Sequence, residues 1–304
     1  KETQILGSIQ NTLYWDQNTG MPRRGASWRS EQLTYIAKVL HERNSSEEFS
    51  NLIQSAKSEL FETEQNLHNH YLIKDKERNI NLLIKEFNRE RNLDPKLVES
   101  LAKAKSKGYE SWQEAKKNSD FKIFLPFFEE LVKLRIEEAR QISNQYSPWE
   151  TLAQPFEPEL TLKWLYKMFQ PLKETIPELI RGINQFKKKH WDLSQESQHD
   201  LCSKLLDEFG RDKDLVIVGK SPHPFSITLG PNDYRITTRI VEGEPLSSFL
   251  ATAHEWGHSI YEQGLPSQSH QWFAWPLGQA TSMGIHESQS LFWENRIVKS
   301  KSFS

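Results

Sequence analysis

The strongest constraint on this chain is a helical period that runs through more than half of it and is cut mainly by prolines. From Ser27 to about Lys189 apolar residues recur at spacings of three and four, which is the period of one face of an α-helix. In "SEQLTYIAKVLHE" the stripe is Leu33, Ile36, Ala37 and Leu40, with Ser30 and Glu31 at the expected start. In "FLPFFEELVKLRIEEARQI" it is Phe127, Phe128, Leu131, Leu134 and Ile142, with Pro126 suited to a first turn. Proline removes a backbone donor and biases its predecessor away from the helix, so breaks are expected at "NLDPK", "YSPWETLAQPFEPELT" and "FQPLKETIPEL". The pattern predicts long antiparallel helices.

Between Asp214 and Val241 the texture changes. "DLVIVG", "FSITLG" and "YRITTRIV" are short β-branched runs bounded by Gly, Pro and Asn-Asp, and they predict a small sheet. The helical period returns at Pro245 and holds Leu246, Phe249, Leu250, Ala253, Gly257, Ile260 and Tyr261 until Gly264 and Pro266 stop it. The expected organisation is one mainly α domain over 1–304: a helical body (1–213), a small sheet (214–242) and a closing helical part (243–304).

Composition removes several function classes. With 304 residues and 36% hydrophobic content the chain can bury a sizeable core. Lysine plus arginine (39) nearly balances aspartate plus glutamate (41) without a basic stripe, so nucleic acid is not an expected partner. The single cysteine, Cys202, rules out an intrachain disulfide framework and fits a reducing, cytoplasmic compartment. No apolar run approaches about 18 residues and the first residues lack the order of a secretory leader, so neither a membrane span nor export is expected. Ten tryptophans and sixteen phenylalanines fit a heavily packed helical body or an aromatic-lined cleft.

The chemistry concentrates in "ATAHEWGHSIYEQG". On an α-helix, positions i and i+4 stand one above the other, so His254 and His258 can turn their imidazoles toward a single ion. Glu255, rotated by about 100°, flanks that ion without binding it, where a base must sit to take a proton from water. Such an ion polarises a scissile carbonyl and lowers the pKa of its water to about 7. A solvated helix face can spell the same five residues. Here, however, the histidines lie beside Ala253, Gly257 and Tyr261 on the face expected to be buried, where unpaired imidazoles are costly.

A catalytic zinc needs a third protein ligand and one open position. The pattern that adds a third histidine would require Gly at 261 and His at 264, but the sequence has Tyr261 and Gly264. The other common solution takes a glutamate from a later helix. "GQATSMGIHESQSLFWEN" offers Glu287, with Ala280, Met283, Gly284 and Leu291 marking an expected buried face and small residues allowing a close helix approach. Glu287 is the choice, with His286 and His270 as weaker candidates.

With both helices placed, the chain resembles the carboxypeptidase Taq family of metallocarboxypeptidases, of the gluzincin type. The likeness rests on "LYWDQNTGMP", "HPF" (His223 to Phe225), "DYRITTR" (Asp233 to Arg239), "HEWGHSIYEQG" and "GIHESQSLFWEN" in that order, supported by "GYESWQEAK" and "YSPWETL". It implies that His254, His258 and Glu287 hold one divalent ion, zinc or cobalt, and that Glu255 is the general base and proton shuttle. It further implies a mainly helical fold with a deep cleft and a small sheet beside the zinc helix, and in many members a homodimer. The implied reaction releases C-terminal amino acids from peptides with broad side-chain preference. Asp16 and Gln17 are expected only to hold the first helix against the body.

An exopeptidase of this kind must also neutralise the substrate's free carboxylate, for which an arginine fork is well shaped. Arg235 and Arg239 share a face if both lie in one strand, and either serves this purpose or pairs structurally with Asp233 or Glu242. His223 stands as a hydrogen-bond donor at the cleft wall or as a turn residue before Pro224. Family members are longer than this chain, and a later Gln-Asp-x-His-Trp segment and an arginine-bearing helix have no counterpart here. The chain is therefore expected to be an N-terminal fragment or a short version with an apolar face left uncovered. Alternative readings are a zinc oligopeptidase, or a non-catalytic metal-binding fragment that needs a separate C-terminal half.

Overall fold

The proline breaks become corners between helices, with one exception. The computed structural model describes residues 1–64, 70–183 and 191–303; the end of the helical pattern near Lys189 lies outside them. In chain order the helices are α1 (Glu2–Thr19), α2 (Ala26–Asn44), α3 (Glu47–Glu64), α4 (His70–Arg91), α5 (Pro95–Asn118), α6 (Leu125–Ile142), α7 (Pro148–Ala153), α8 (Leu162–Gly182) and α9 (Gln195–Glu208). Strands β1 (Val216–Lys220), β2 (Ser226–Gly230) and β3 (Asp233–Thr238) follow, then α10 (Pro245–Gln263) and α11 (Met283–Leu291), which runs on as a π-helical segment, Phe292–Val298. The fold is mainly α with one small sheet, as expected.

Helix formation begins earlier than the periodicity showed. The only buried residue of α1 is Gln17, while Ile5 and Ile9 are exposed, so this helix carries no clear apolar stripe to read. It is tied down by polar contacts: Ser8 donates to the Leu229 carbonyl, and Asn11 donates to that of Thr228 at 2.9 Å. Asp16 and Gln17 do hold it to the body, through Arg29 (2.5 Å) and Ser106 (3.2 Å). Likewise α2 starts at Ala26 rather than Ser30, directly after a 3-10 turn, and Ser30 is buried within it.

The exception is "FQPLKETIPEL". Instead of breaking, α8 passes through Pro171 and Pro177. Each proline leaves the carbonyl four residues before it without a helical donor, at Lys167 and Lys173, and both residues are exposed, so water can satisfy them. No residue of α8 is buried. Trp164, Tyr166, Phe169, Leu172, Leu179 and Ile180 are all exposed along it, a run of large apolar side chains of the kind that marks an interaction surface.

Elsewhere apolar faces close on one another. Leu93, Leu97 and Leu101 of the α4–α5 corner and α5 pack on Leu131, Leu134 and Ile142 of α6. Ile53 and Leu60 of α3 meet Ile80 and Phe87 of α4. The three β-branched runs form the expected strands in the order β1-β3-β2, with β3 parallel to β1 and antiparallel to β2. Against this sheet lies α10, where Trp256 joins Leu206, Val216 and Ile236 in a buried cluster. Thr252 donates to Thr238 at 2.9 Å across the same interface. Among the described residues no helix is long and apolar enough to cross a membrane.

Candidate metal centre

The centre is built on α10, which the sheet holds from behind. Pro245 sits in its first turn and Gly264 caps its end, as the sequence predicts. The residues that seat it are Ser248, Thr252, Trp256 and Ser259, all buried. The expected stripe missed these, and its Leu246 is exposed; three of the four are small polar residues, whose burial an apolar period does not register. With that side fixed, the next face around the helix presents His254 and His258 to α11.

The structure brings His254, His258 and Glu287 together, with one donor atom from each lying within 4.8 Å of the others. Glu287 Oε2 is 3.7 Å from His254 Nε2 and 3.4 Å from His258 Nε2. Tetrahedral ligands about 2.0–2.1 Å from a zinc ion stand roughly 3.3–3.4 Å from one another. Two imidazole nitrogens and a carboxylate oxygen at these separations therefore fit a first-row dication. Glu255 is buried beside them at 7% exposure. Burial, and then the nearby Glu287 carboxylate, push its carboxyl up to about 8, a repulsion that a cation between the two would relieve. Burial, followed by the neighbouring imidazoles of His286 and His254, pushes His258 down to about 4, so it is neutral and its lone pair is available.

The partner helix is positioned differently from the expectation. Met283, Gly284 and Leu291 do not mark a buried face, because Met283 is 51% and Leu291 41% exposed and Gly284 is also exposed. Instead α11 turns Ser290 and Gln289 onto α10, and the residue that permits the approach is Gly257. A Cβ built there would stand 2.5 Å from the Ser290 Cα and 2.7 Å from the Gln289 carbonyl oxygen, and backbone at such distances cannot swing aside. Gly257→Ala is expected to cost about 1–3 kcal/mol of stability and to weaken metal binding by prising Glu287 from the histidines. Denaturant melts and zinc titration check it; unchanged values in both would show that the helices can part without cost.

The start of α11 is fixed by groups far away in sequence. Ser282 accepts the Ile285 N–H as an N-cap at 3.2 Å, the Glu157 carboxylate accepts the Gly284 N–H at 3.0 Å, and the Phe156 carbonyl accepts the Met283 N–H at 2.7 Å. An anion at a helix N-terminus also complements the helix dipole. Glu157 lies in the segment read only as a break, and nothing in its local sequence shows that it reaches α11.

Three further side chains stand behind the histidines. Glu294 Oε2 lies 3.0 Å from His254 Nδ1, while its Oε1 takes the Lys299 ammonium at 2.8 Å. Although burial acts to raise it, the hydrogen bonds from Lys299 and His254 hold the Glu294 carboxyl below the usual carboxylate range. His286 Nδ1 is 2.6 Å from His258 Nδ1, and its Nε2 is 2.8 Å from Glu262 Oε1. Of the two carboxylates, Glu262 had a readable signal, since it continues the four-residue row of His254 and His258; Glu294 lies in the π-helical segment, where the α-helical period no longer places it relative to Glu287.

The remaining predicted positions lie apart from this cluster. Among the described residues, His270 belongs to no such group of ligands; its Nδ1 accepts the Trp272 N–H at 3.1 Å. The guanidinium of Arg235 is occupied by a two-pronged pairing with Asp233, at 2.8 and 3.0 Å, and lies over the Trp15 ring. Arg239 falls one residue past the end of β3, so strand alternation does not govern its direction; it is exposed and sits near Lys116. His223 borders an open hollow with Asn18, Tyr109, Trp112 and Phe225, and its Nδ1 lies 2.6 Å from the Pro224 carbonyl oxygen.

Comparison with known proteins adds the wider context. Residues 1–304 match the family described as carboxypeptidase Taq (M32) metallopeptidase. "Thermostable carboxypeptidase 1" of Thermus thermophilus is 30% identical over 100% of this chain and 60% of its own length. "Carboxypeptidase 1" of Bacillus subtilis is 32% identical over 96% of this chain and 57% of its own. A solved structure described as "BsuCP Crystal Structure" superposes with a TM-score of 0.87 at 30% identity, covering 99% of this chain and 59% of that one. The chain thus spans about 60% of the length of the curated relatives it matches.

Proposed function

The chain belongs to the carboxypeptidase Taq (M32) metallopeptidase family, and from that membership we propose that it releases residues from the C-terminal ends of peptides at a divalent-metal centre held by His254, His258 and Glu287. The observation that carries this reading is the convergence of those three donors within 4.8 Å, with Glu255 buried at their side. Zinc is the ion that a set of two imidazoles and one carboxylate suits well, and cobalt is compatible with the same set. When bound, the ion supplies Lewis acidity, polarising a carbonyl and making water more acidic.

The chain's own residues do the rest. Glu255 takes a proton from water and returns it to the leaving amine. Its burial supports that task, because a carboxylate destabilised by desolvation is a stronger base than one in water. The substrate's carboxylate needs a cation not already committed to a partner. Since Asp233 occupies Arg235, Arg239 is the arginine assigned to it, and His223 is assigned as a hydrogen-bond donor to the substrate.

The test compares one peptide with a free C-terminus and as its C-terminal amide. Release of single residues from the free acid but not from the amide is expected; release of internal fragments from both would replace this reading with an oligopeptidase. Arg239→Ala is expected to lower kcat/KM on the free acid by about tenfold or more, the scale of one charge-assisted hydrogen bond. An unchanged value would remove Arg239 from the substrate site.

The exposed apolar run on α8 favours a second reading, a metal-binding module that turns over only when a further polypeptide lies on that face. Bound metal without hydrolysis, followed by hydrolysis on adding the C-terminal two-fifths of the Bacillus subtilis relative, would decide for it.

A further inference from the structure

We propose that His286 and Glu262 form a positioning pair that fixes the ring of His258, so that Nε2 is presented to the ion while Nδ1 is held from behind; the proposal rests on the metal centre described above. Both histidine Nε2 atoms face Glu287 Oε2, at 3.7 and 3.4 Å. These are accordingly the ligand nitrogens. A neutral imidazole that uses one nitrogen as a lone-pair donor carries its proton on the other, so His258 must bear hydrogen on Nδ1.

The protons along the row then have one consistent arrangement. His258 Nδ1–H donates to His286 Nδ1 at 2.6 Å, which obliges that nitrogen to be an acceptor. His286 therefore carries its hydrogen on Nε2 and donates it to Glu262 Oε1 at 2.8 Å. A hydrogen on His286 Nδ1 would set two N–H groups against each other at that short separation. Both nitrogens of His286 are thus engaged, and neither is left for the ion, which separates this residue from the ligand role that the sequence allowed it.

The pair also spans the two helices. Glu262 lies on α10, four residues beyond His258, and His286 lies on α11 next to Glu287. The Tyr261 ring stands edge-on to His286, with centroids 5.1 Å apart and an interplanar angle of 85°, and restrains its rotation. The two ligand histidines are consequently supported in different ways. His254 is backed directly by the Glu294 carboxylate, whereas His258 is backed by a carboxylate acting through an imidazole. Partners behind a metal-bound histidine set its tautomer and orientation, and losing one typically costs about 10–100-fold in metal affinity.

The experiment is zinc affinity of the full 304-residue chain, by competition with a chromophoric chelator, for wild type, His286→Phe, Glu262→Ala and the double variant. Melting of the metal-free proteins is followed in parallel. His286→Phe and Glu262→Ala are each expected to weaken zinc by about 10–100-fold, with about one ion per chain still bound at saturation. Because Glu262 acts through His286, the double variant should bind no more weakly than His286→Phe alone, a non-additivity that independent structural roles would not produce. His286→Asn, whose side-chain oxygen can accept from His258 Nδ1, should recover part of the loss. Wild-type affinity in His286→Phe, or losses that multiply fully in the double variant, would overturn the proposal. If His286→Phe does not fold, Glu262→Ala decides alone, a tenfold loss supporting the pair and an unchanged affinity overturning it. A wild type that binds no zinc would overturn the metal centre itself, which is a separate result from a wild type that binds and variants that bind equally.

Discussion

Glu287→Ala is expected to reduce bound zinc from about one ion per chain to almost none. Two neutral imidazoles then face the dication alone, and the only anionic member of the donor set has gone. The loss should exceed the roughly 10–100-fold that follows from disturbing a partner behind a ligand, because it removes both a bond and the neutralising charge. The fold should survive, since Glu287 is half-exposed and α11 is held by Ser282, Glu157 and the Phe156 carbonyl. Metal content by mass spectrometry after gel filtration measures it. A variant that keeps one ion per chain would show that another residue completes the centre.

Glu255→Gln is expected to separate binding from chemistry. The amide keeps the shape of a side chain that is 7% exposed, so packing of α10 against the sheet should be preserved, and none of the three ligands is touched. What disappears is basicity, and a positioned general base contributes about 100- to 10,000-fold to rate. Zinc content should match wild type while release of C-terminal residues falls by that factor. If turnover persists within a few-fold, the proton passes through some other group and Glu255 is only a buried carboxylate.

Some of the centre is visible without tertiary information because it is local. Two histidines four apart on a helix point the same way whatever surrounds them, and the Gly264 and Pro266 pair marks where that helix stops. The β-branched runs likewise announce three strands. The same local reasoning fails where solvent access matters: α8 continues through Pro171 and Pro177 because its freed carbonyls face water, an outcome that depends on exposure. It also fails for α11, whose apolar Met283 and Leu291 face outward while Ser290 is buried, since a close backbone contact favours small residues over greasy ones.

By itself, then, the sequence determined which residue types could bind a metal, that two of them share a helix face, and that the chain is mainly helical with a small sheet. The tertiary structure decided how α10 and α11 cross at Gly257, which of several candidates meets the histidines, and which groups stand behind them. Helical periodicity is a property of a few successive residues. The reach of Glu157 to Gly284, 127 residues apart, and of His286 to His258, 28 apart, arises only when separate helices have been packed, and no short-range pattern encodes that crossing.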